Sequence, residues 1–314
     1  MFADLHLHTR FSDGTYTPEE LVARAKQVGL SAIALTDHDT VEGCARTAVA
    51  CEQAGLEFIP ATELTAELEG EELHLLGYFL DTQHPTLLAE MAKFQTVRQN
   101  RIREMVARLN RLNIPLQADV VFAIANCRSP GRPHVGRALV EGGFCGTMDE
   151  AFERFLKKNR PAWVPKFKIS ALDAIGLIHQ AGGLAGLAHP GLNPTDAIIP
   201  ELVAGGLDAL ECFHTKHSAA MSERYTRLAS EHNLAITGGS DCHGLNKGKP
   251  LIGTVRLPYA CVTQLKERLG RRETAESKTG SAAVPRPALP VRAAENRDLS
   301  AAREAGPVGR RAPD

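Results

Sequence analysis

The chain has 314 residues, of which 43% are hydrophobic, and a formal net charge of −1 at pH 7. This length is sufficient for one sizeable core or for a barrel that carries an insertion. The near-neutral charge excludes a broad polyanion-binding face, so a phosphorylated substrate would have to be met by metal ions and a few local Arg or Lys residues.

Two further classes of protein do not fit the sequence. No apolar run approaches the roughly 18 residues of a membrane-spanning helix, and the first residues, through Asp4-Leu5-His6, contain no signal segment. The seven cysteines include no CxxC pair and do not suggest a disulfide framework. We therefore expect a cytoplasmic protein with no membrane association and no obligatory protein partner.

Seven short apolar runs are predicted to be strands. In chain order they are residues 3–7, 32–36, 57–60, 73–79, 184–188, 209–213 and 235–238. Helical patterns lie between several of them, for example at residues 18–28, where Thr17 is the expected N-cap and Pro18 starts the first turn. A strand followed by a helix, repeated, predicts an α/β fold with a parallel sheet or barrel.

A long stretch between the fourth and fifth predicted strands is predicted to be mostly helical. Its apolar stripe recurs at helical spacing until Pro115 and consists of Leu87, Met91, Phe94, Ile102, Met105, Leu109 and Leu112. The predicted domains are a discontinuous barrel, residues 1–80 and 184–270, and a helical insertion, residues 81–183, that caps the substrate.

Residues 271–314 show no sustained apolar periodicity and are rich in Ala, Pro, Arg, Glu and Gly. This composition predicts a disordered tail. The tail carries nine basic and six acidic residues, so an RNA-tethering role is open, although a solvated tail fits the composition better.

Histidines and carboxylates lie in or just after almost every predicted strand. From the first strand to the last they are His6, His8, Asp37, His38, Glu63, His74, His189, Asp241 and His243. The carboxyl ends of parallel strands share one rim of a barrel, so these side chains should converge there. His74 is the exception, because it lies inside its predicted strand and reaches the rim only if that strand ends early.

So many imidazoles and carboxylates on one rim would be electrostatically costly without cations. A lone His on an apolar strand is more often a hydrogen-bonded core residue, but the constellation favours metal. In His6-Leu7-His8 the period of two places both imidazoles on one face, so one ion could bind both nitrogens at about 2.0 to 2.1 Å. The pattern predicts a cluster of divalent cations.

The residues around these positions form motifs. They are Asp4-Leu5-His6-Leu7-His8, Ser12-Asp13-Gly14, Thr36-Asp37-His38-Asp39, Glu63, His74-Leu75-Leu76-Gly77-Tyr78, Ala188-His189-Pro190 and Ser240-Asp241-Cys242-His243. The set resembles the PHP family, the polymerase and histidinol phosphatase superfamily, over residues 3–256. With Arg132-Pro133-His134, it is most similar to the branch of nucleoside 3′,5′-bisphosphate phosphatases, whose members also act as 5′→3′ exoribonucleases on short RNA.

The resemblance implies a distorted (β/α)7 TIM-like barrel with a helical insertion and two or three divalent ions. The ligands that it implies are His6, His8, Glu63 and Asp241 for one ion, Glu63, His74 and His189 for a second, and Asp13, His38 and His243 for a third. Some family members have His where this chain has Asp13, and the added oxygen suits Mn²⁺ or Mg²⁺. We expect Mn²⁺, with Mg²⁺ or Zn²⁺ as alternatives.

Such a cluster requires no catalytic side chain as nucleophile. Two ions about 3.5 to 4 Å apart can bridge a water and lower its pKa, so a metal-bound hydroxide is the expected nucleophile. Asp4 and Asp37 lie within two residues of a ligand His, where a carboxylate could accept the other ring N–H. Strand-end hydrogen bonding is an equally good interpretation of both.

The insertion is expected to select the substrate. In Arg98-Gln99-Asn100-Arg101 the two arginines share one helical face and could grip a second phosphate. Spacing alone favours a solvated face, and the resemblance shifts the preference toward substrate binding by Asn100 and Arg101. Arg132 and His134 lie in a Gly-Pro-rich loop, where polar side chains more often face a cleft than a core.

His214 and His217 follow another predicted strand. One of them could protonate the leaving oxygen, but a surface position is the favoured interpretation.

The sequence therefore predicts a metal-dependent phosphoesterase that acts on nucleotide phosphates. The substrates that the resemblance implies are nucleoside 3′,5′-bisphosphates, from which the 3′-phosphate is released, and 5′-phosphorylated short RNA. A histidinol-phosphate phosphatase or another small phosphomonoesterase would share the metal cluster and remains the alternative. A polymerase-associated module would need a large polymerase chain, and a non-enzymatic binding module would be expected to lose ligands.

Overall fold

The computed structural model describes residues 1–192, 196–245 and 248–279, and within them one mixed sheet forms the body of the molecule. Its strands are β1 (Phe2–Leu7), β2 (Ala32–Leu35), β3 (Glu57–Leu68), β4 (Glu71–Tyr78), β5 (Ile169–Ser170), β6 (Leu184–Leu187), β7 (Ala209–His214), β8 (Ala235–Gly239) and β9 (Leu257–Pro258). All seven predicted strands are present. The two-residue strands β5 and β9 are too short to give a periodic signal.

The α-helices lie between most of these strands, with four in succession between β4 and β5 and none between β3 and β4. They are α1 (Pro18–Gln27), α2 (Cys44–Ala54), α3 (Pro85–Arg111), α4 (Ala118–Ala125), α5 (Arg132–Glu141), α6 (Met148–Ala151), α7 (Ala171–Gln180), α8 (Ile199–Ala204), α9 (Ala219–Glu231) and α10 (Tyr259–Thr279). Thr17 caps α1 as predicted, because its hydroxyl accepts from the amide of Glu20 while Glu20 accepts from the amide of Thr17. None of the described helices is long and apolar enough to cross a membrane.

The sheet curls into a nearly closed barrel. Its order is β8-β7-β6-β4-β3-β2-β1-β9, with β5 beside β3. The chain that leaves β8 returns to β1, where Asp241 N donates to His6 O at 2.9 Å and His8 N donates to Cys242 O at 3.0 Å. A side chain at Gly239 would lie 2.3 Å from the Cβ of His6, so glycine is required for this close approach. The predicted distorted α/β barrel is confirmed.

Two strands depart from the predicted parallel arrangement, the long strand β4 and the two-residue strand β9, which runs antiparallel to β1. β4 runs antiparallel to both β3 and β6, whereas β1–β2, β2–β3, β6–β7 and β7–β8 are parallel. The reason is the two-residue link Glu69-Gly70, whose positive φ angles of 52° and 86° suit a tight hairpin turn. The expectation of a parallel sheet or barrel therefore does not hold at β4.

The barrel and the insertion each have a hydrophobic core. Leu5, Ile59, Leu76 and Leu184 belong to the barrel core, and a separate cluster that includes Ile102, Leu109, Val135 and Leu156 lies in the insertion. The predicted stripe on α3 is buried as far as Leu109, while Leu112 at the end of the helix is 42% exposed. Helix α7, although it lies within residues 81–183, packs against β3, β4 and β6, so we place it with the barrel.

The last helix extends into the predicted tail. Helix α10 packs on β1 and β8 through residues such as Val262 and Leu265, and continues to Thr279. The prediction of disorder is therefore wrong for residues 271–279, because the helix runs on past the face that it buries. Residues 280–314, which make up the remainder of the predicted tail, lie outside the described residues.

Candidate metal centre

Glu63 lies at the middle of the barrel rim, fully buried within β3. Five imidazoles surround its two carboxylate oxygens. Oε2 lies 3.2 Å from His6 Nε2, 3.3 Å from His8 Nε2 and 3.2 Å from His38 Nδ1, and Oε1 lies 2.6 Å from His74 Nδ1 and 3.2 Å from His189 Nε2. Glu63 therefore lies between two groups of imidazoles, and its role as a bridge between two ions remains a prediction.

His74 reaches the rim because β4 is antiparallel. It lies in the first half of β4, opposite Thr65 of β3, and its carbonyl accepts from Ala188 N at 3.0 Å. The beginning of an antiparallel strand lies at the same edge as the ends of its parallel neighbours. No early end of the strand is needed, and the apparent exception in the sequence disappears.

Two more carboxylates complete the cluster. Asp241 Oδ1 lies 3.2 Å from His8 Nε2, 3.6 Å from His6 Nε2 and 3.4 Å from His243 Nδ1. Asp13 Oδ1 lies 3.1 Å from His243 Nε2 and 4.0 Å from His38 Nε2. All nine predicted ligands therefore meet on one rim.

The ligand atoms form three groups that match the implied groups only in part, and His189 belongs to none of them. Atoms within 4.8 Å of one another form three sets, which are His6, His8 and Asp241, then His38, Glu63 and His74, and then His8, Asp13, His38 and His243. His8 and His38 each belong to two sets, so neighbouring ions would share this space. The division of the ligands among individual ions remains a prediction.

The chemistry of these donors fits divalent cations. Both ring nitrogens of His8, Nδ1 of His38 and Nδ1 of His189 are buried without a hydrogen-bond partner among the described residues. Unpaired buried polar atoms are costly. Imidazole nitrogen together with carboxylate oxygen is a donor set that Zn²⁺ and Mn²⁺ accept.

The charges of the cluster support one another. Burial alone would lower the pKa of His6, but Glu211, Glu63 and Asp241 outweigh it and raise this pKa well above its usual value. Burial would raise the pKa of Asp241, yet the neighbouring histidines hold it well below its usual range. Protons and metal ions therefore compete for the same imidazole nitrogens.

Among their described hydrogen bonds, the carboxylates of Asp4 and Asp37 have none to the ring of a predicted metal-binding histidine. Asp4 accepts from the amides of Ser240 at 2.8 Å and Gly253 at 3.3 Å, and Asp37 accepts from Thr9 N at 2.8 Å and Ser12 Oγ at 2.6 Å. The prediction that they orient ring N–H groups is wrong, because both carboxylates turn toward the loops after the strands. The alternative of strand-end hydrogen bonding is confirmed.

Sequence reasoning missed Glu211, which lies in β7 and is fully buried. Its Oε1 lies 3.1 Å from His6 Nδ1, which makes it the carboxylate partner of a ligand imidazole. The available signal was a charged residue within the apolar run Ala209-Leu210-Glu211-Cys212-Phe213, where burial requires a partner.

The surface position favoured for His214 is wrong. The ring is buried, and Lys216 N donates to its Nδ1 at 3.2 Å. In the neutral ring the proton is therefore on Nε2, which lies 3.6 Å from Asp241 Oδ2. His217 is half-buried and accepts from Gly191 N at 3.2 Å.

A small cavity adjoins the metal cluster on the insertion side. It is lined by Asp39, Phe94, Arg98, Arg101, Lys166 and Phe167, among others. The ammonium of Lys166 lies 3.4 Å from His74 Nε2, which connects the cavity to the cluster. Lys166 was not predicted, although it is one of two closely spaced lysines in Pro165-Lys166-Phe167-Lys168.

Positive charge exceeds negative charge around this cavity. Arg98 pairs with Asp39 at 2.6 Å and Lys166 with Glu72 at 3.0 Å, while Arg101 bonds only the carbonyl of Val164, at 2.9 Å, among its described contacts. One terminal nitrogen of Arg101 is buried without a hydrogen-bond partner. Burial, followed by the charges of Arg132 and Arg98, lowers the pKa of Arg101 to about 9.

The other three predicted substrate residues, Arg132, His134 and Asn100, are not among the residues named above as lining this cavity. Arg132 donates to Leu156 O at 3.4 Å and is close enough to Arg101 to affect its pKa. His134 is buried and accepts from Gly131 N at 2.9 Å, and burial, followed by Arg137, lowers its pKa to about 4. Asn100 is exposed and accepts from Arg103 on the same helix, so the structure does not bring it to the cavity.

Comparisons with known proteins agree with this geometry. A family model described as the PHP domain matches residues 4–115. The 5′-3′ exoribonuclease Rnm of Salmonella typhimurium is 34% identical over 247 residues, which cover 76% of this chain and 84% of that protein. The 3′,5′-nucleoside bisphosphate phosphatase of Chromobacterium violaceum is 33% identical over 267 residues, which cover 82% of this chain and 93% of that protein.

A solved structure is similar to this chain in both fold and sequence. A candidate metal-dependent phosphoesterase from Bifidobacterium adolescentis matches with a TM-score of 0.78 and 34% identity, covering 85% of this chain and 96% of that one. Motifs, fold and relatives agree, and the chain belongs to the PHP family.

Proposed function

We propose that this chain is a metal-dependent phosphoesterase that hydrolyses nucleotide phosphates. The proposed substrates are nucleoside 3′,5′-bisphosphates, which would release the 3′-phosphate, and short RNA with a 5′-phosphate, which would be degraded from the 5′ end. The observation that carries this proposal is the cation-lined cavity beside the metal cluster. A substrate with one phosphate on the ions could place its second phosphate against Arg101.

The rim would hold the metal ions through its nine histidine and carboxylate ligands. Bound divalent ions would act as Lewis acids and lower the pKa of a bound water. Together, the metal ions would also stabilise negative charge on the phosphoryl oxygens. We propose Mn²⁺, because Asp13 adds oxygen to the third ligand set. The Nε2 proton of His214 faces Asp241 and would help to fix that carboxylate.

The insertion would bind the part of the substrate that does not react. Arg98 and Lys166 already have carboxylate partners, whereas Arg101 has a buried nitrogen without one. A phosphate would complete its hydrogen bonds and reduce the repulsion among Arg98, Arg101 and Arg132. Histidinol phosphate has a single phosphate and would leave these cations uncompensated, so the cavity favours a substrate with two phosphates.

The test is phosphate release from four substrates by metal-free protein reloaded with Mn²⁺, Mg²⁺ or Zn²⁺. The substrates are adenosine 3′,5′-bisphosphate, AMP, a 5′-phosphorylated oligoribonucleotide and histidinol phosphate. We expect the highest kcat/KM on the bisphosphate or the oligoribonucleotide. Preference for histidinol phosphate would contradict the proposal, and turnover that persists after removal of metal would contradict the metal-dependent mechanism.

A further inference from the structure

Glu211 touches two metal ligands from outside the cluster. Its carboxylate oxygens lie 3.1 and 3.3 Å from Nδ1 of His6, and Oε2 accepts from the backbone amide of His189 at 2.7 Å. Glu211 is completely buried, in the middle of β7 between β6 and β8. It is not one of the nine predicted ligands.

The contact with His6 determines which ring nitrogen faces the ions. An ionised carboxylate can only accept hydrogen bonds, so Nδ1 of His6 must carry the proton that it donates to Glu211. In the neutral ring, the form that binds a metal ion, Nε2 is then left with its lone pair, and this atom lies 3.2 Å from Glu63 Oε2 and 3.6 Å from Asp241 Oδ1. Such a hydrogen bond fixes both the tautomer and the orientation of a ligand imidazole.

The contact with His189 acts on the backbone. His189 follows β6 with a φ of 28°, in the left-handed region that a non-glycine residue adopts only at a cost. The hydrogen bond from its amide to Glu211 holds this turn. With the backbone in this conformation, the ring of His189 points toward the cluster, and its Nε2 lies 3.2 Å from Glu63 Oε1.

We propose that Glu211 is a positioning residue that holds ligands of two different ions at once, His6 through its ring and His189 through its main chain. Glu63 faces both imidazoles from inside the cluster, and Glu211 fixes them from outside. None of the hydrogen bonds described for Glu211 reaches the third ligand set, Asp13, His38 and His243. This inference rests on the metal dependence of the proposed function and on the predicted division of the ligands among the ions, but not on the identity of the substrate.

The test compares E211Q with D208N by calorimetric titration of the metal-free proteins with MnCl₂. Asp208 is the matched control, because it is also a buried carboxylate, immediately before β7, but it pairs with His179 and Arg268. We expect E211Q to weaken Mn²⁺ binding by roughly 10- to 100-fold for the two ions that His6 and His189 hold, with the third unchanged. D208N should lower Tm and leave Mn²⁺ affinity as in the wild type.

Wild-type Mn²⁺ affinity in a folded E211Q protein would overturn the proposal, as would an equal loss in D208N. If E211Q fails to fold, a crystal structure of the Mn²⁺-loaded wild-type protein decides: a bond from His6 Nε2 to the ion supports the proposal, and a bond from Nδ1 overturns it. Because both readouts concern Mn²⁺ and not turnover, failure of the proposed nucleotide substrates would leave them interpretable.

Discussion

The barrel rim and the insertion cavity are neighbours with opposite electrostatic character. On the rim, Glu63 faces five imidazoles. Several of the ring nitrogens there have no hydrogen-bond partner among the described residues and could bind cations. In the cavity, Arg98, Arg101 and Lys166 converge, and the unpaired atom is a guanidinium nitrogen that requires an anion. This difference fits the proposal that the barrel carries out the reaction and that the insertion binds the rest of the substrate, with His74 and Lys166 in contact where the two regions meet.

The largest expected effect is at the centre of the rim. E63Q removes the charge that five imidazoles share, so it should reduce metal content and lower kcat by several orders of magnitude while the barrel stays folded. Elemental analysis and steady-state kinetics measure both effects. E67Q, on the same strand with its carboxylate paired to Lys168, is the control and should behave like the wild type. Wild-type metal content in E63Q would show that Glu63 does not bridge ions.

The next effect separates recognition from reaction. R101A should lower kcat/KM for adenosine 3′,5′-bisphosphate by roughly tenfold to hundredfold, since a charge-assisted hydrogen bond contributes about 1.5 to 3 kcal/mol. The loss should be much smaller for p-nitrophenyl phosphate, whose single phosphate would lie on the ions. R132A should show the same substrate dependence.

The control for R101A is R111A, which changes an exposed arginine on the same helix. Equal losses on both substrates would place Arg101 at the reacting centre instead of the recognition cavity. No loss on either substrate would show that Arg101 and Arg132 do not bind substrate.

A smaller effect is expected at the boundary between the two regions. K166M should lower kcat/KM for the bisphosphate by about tenfold, less than the largest loss expected for R101A, because Glu72 already compensates part of the Lys166 charge. Mn²⁺ affinity should change little. K168M, which removes the neighbouring lysine paired with Glu67, serves as control. A large loss of Mn²⁺ affinity in K166M would assign Lys166 to the metal centre.

The smallest effect is expected outside both regions. A chain that ends after Thr279 retains all of α10, including the buried Val262 and Leu265, so its Tm and its turnover of mononucleotides should match those of the full chain. Thermal unfolding and kinetics of the two chains give the comparison. A fall of several degrees in Tm would show that residues 280–314 contribute to the folded body.

Eight of the nine rim residues could be predicted from the sequence pattern because strand ends in an α/β barrel converge. The ninth, Asp13, lies in the loop after β1 and was implied only by the resemblance to the PHP family. The direction of β4 could not be found in the same way, because apolar alternation is identical in parallel and antiparallel strands. The hairpin would have been evident if β3 had been extended to Leu68, since only Glu69 and Gly70 then separate it from β4.

Residues that act through a partner were harder to predict. Glu211, His214 and Lys166 acquire their roles from contacts with His6, Asp241 and His74, each distant along the chain. The resemblance implied that Asn100 and Arg101 both bind substrate, but only Arg101 faces inward. A helix turns by about 100° per residue, so adjacent positions rarely share an environment.

The β3–β4 hairpin also bears on the order in which the molecule assembles. Closing a two-residue turn costs little chain entropy, whereas joining β1 to the end of β8 must bring together residues from both ends of the barrel sequence. Glu63 and His74 lie on this hairpin, with their side chains 2.6 Å apart. Part of the metal centre can therefore form as a local folding unit, and the remaining ligands join it as the barrel closes.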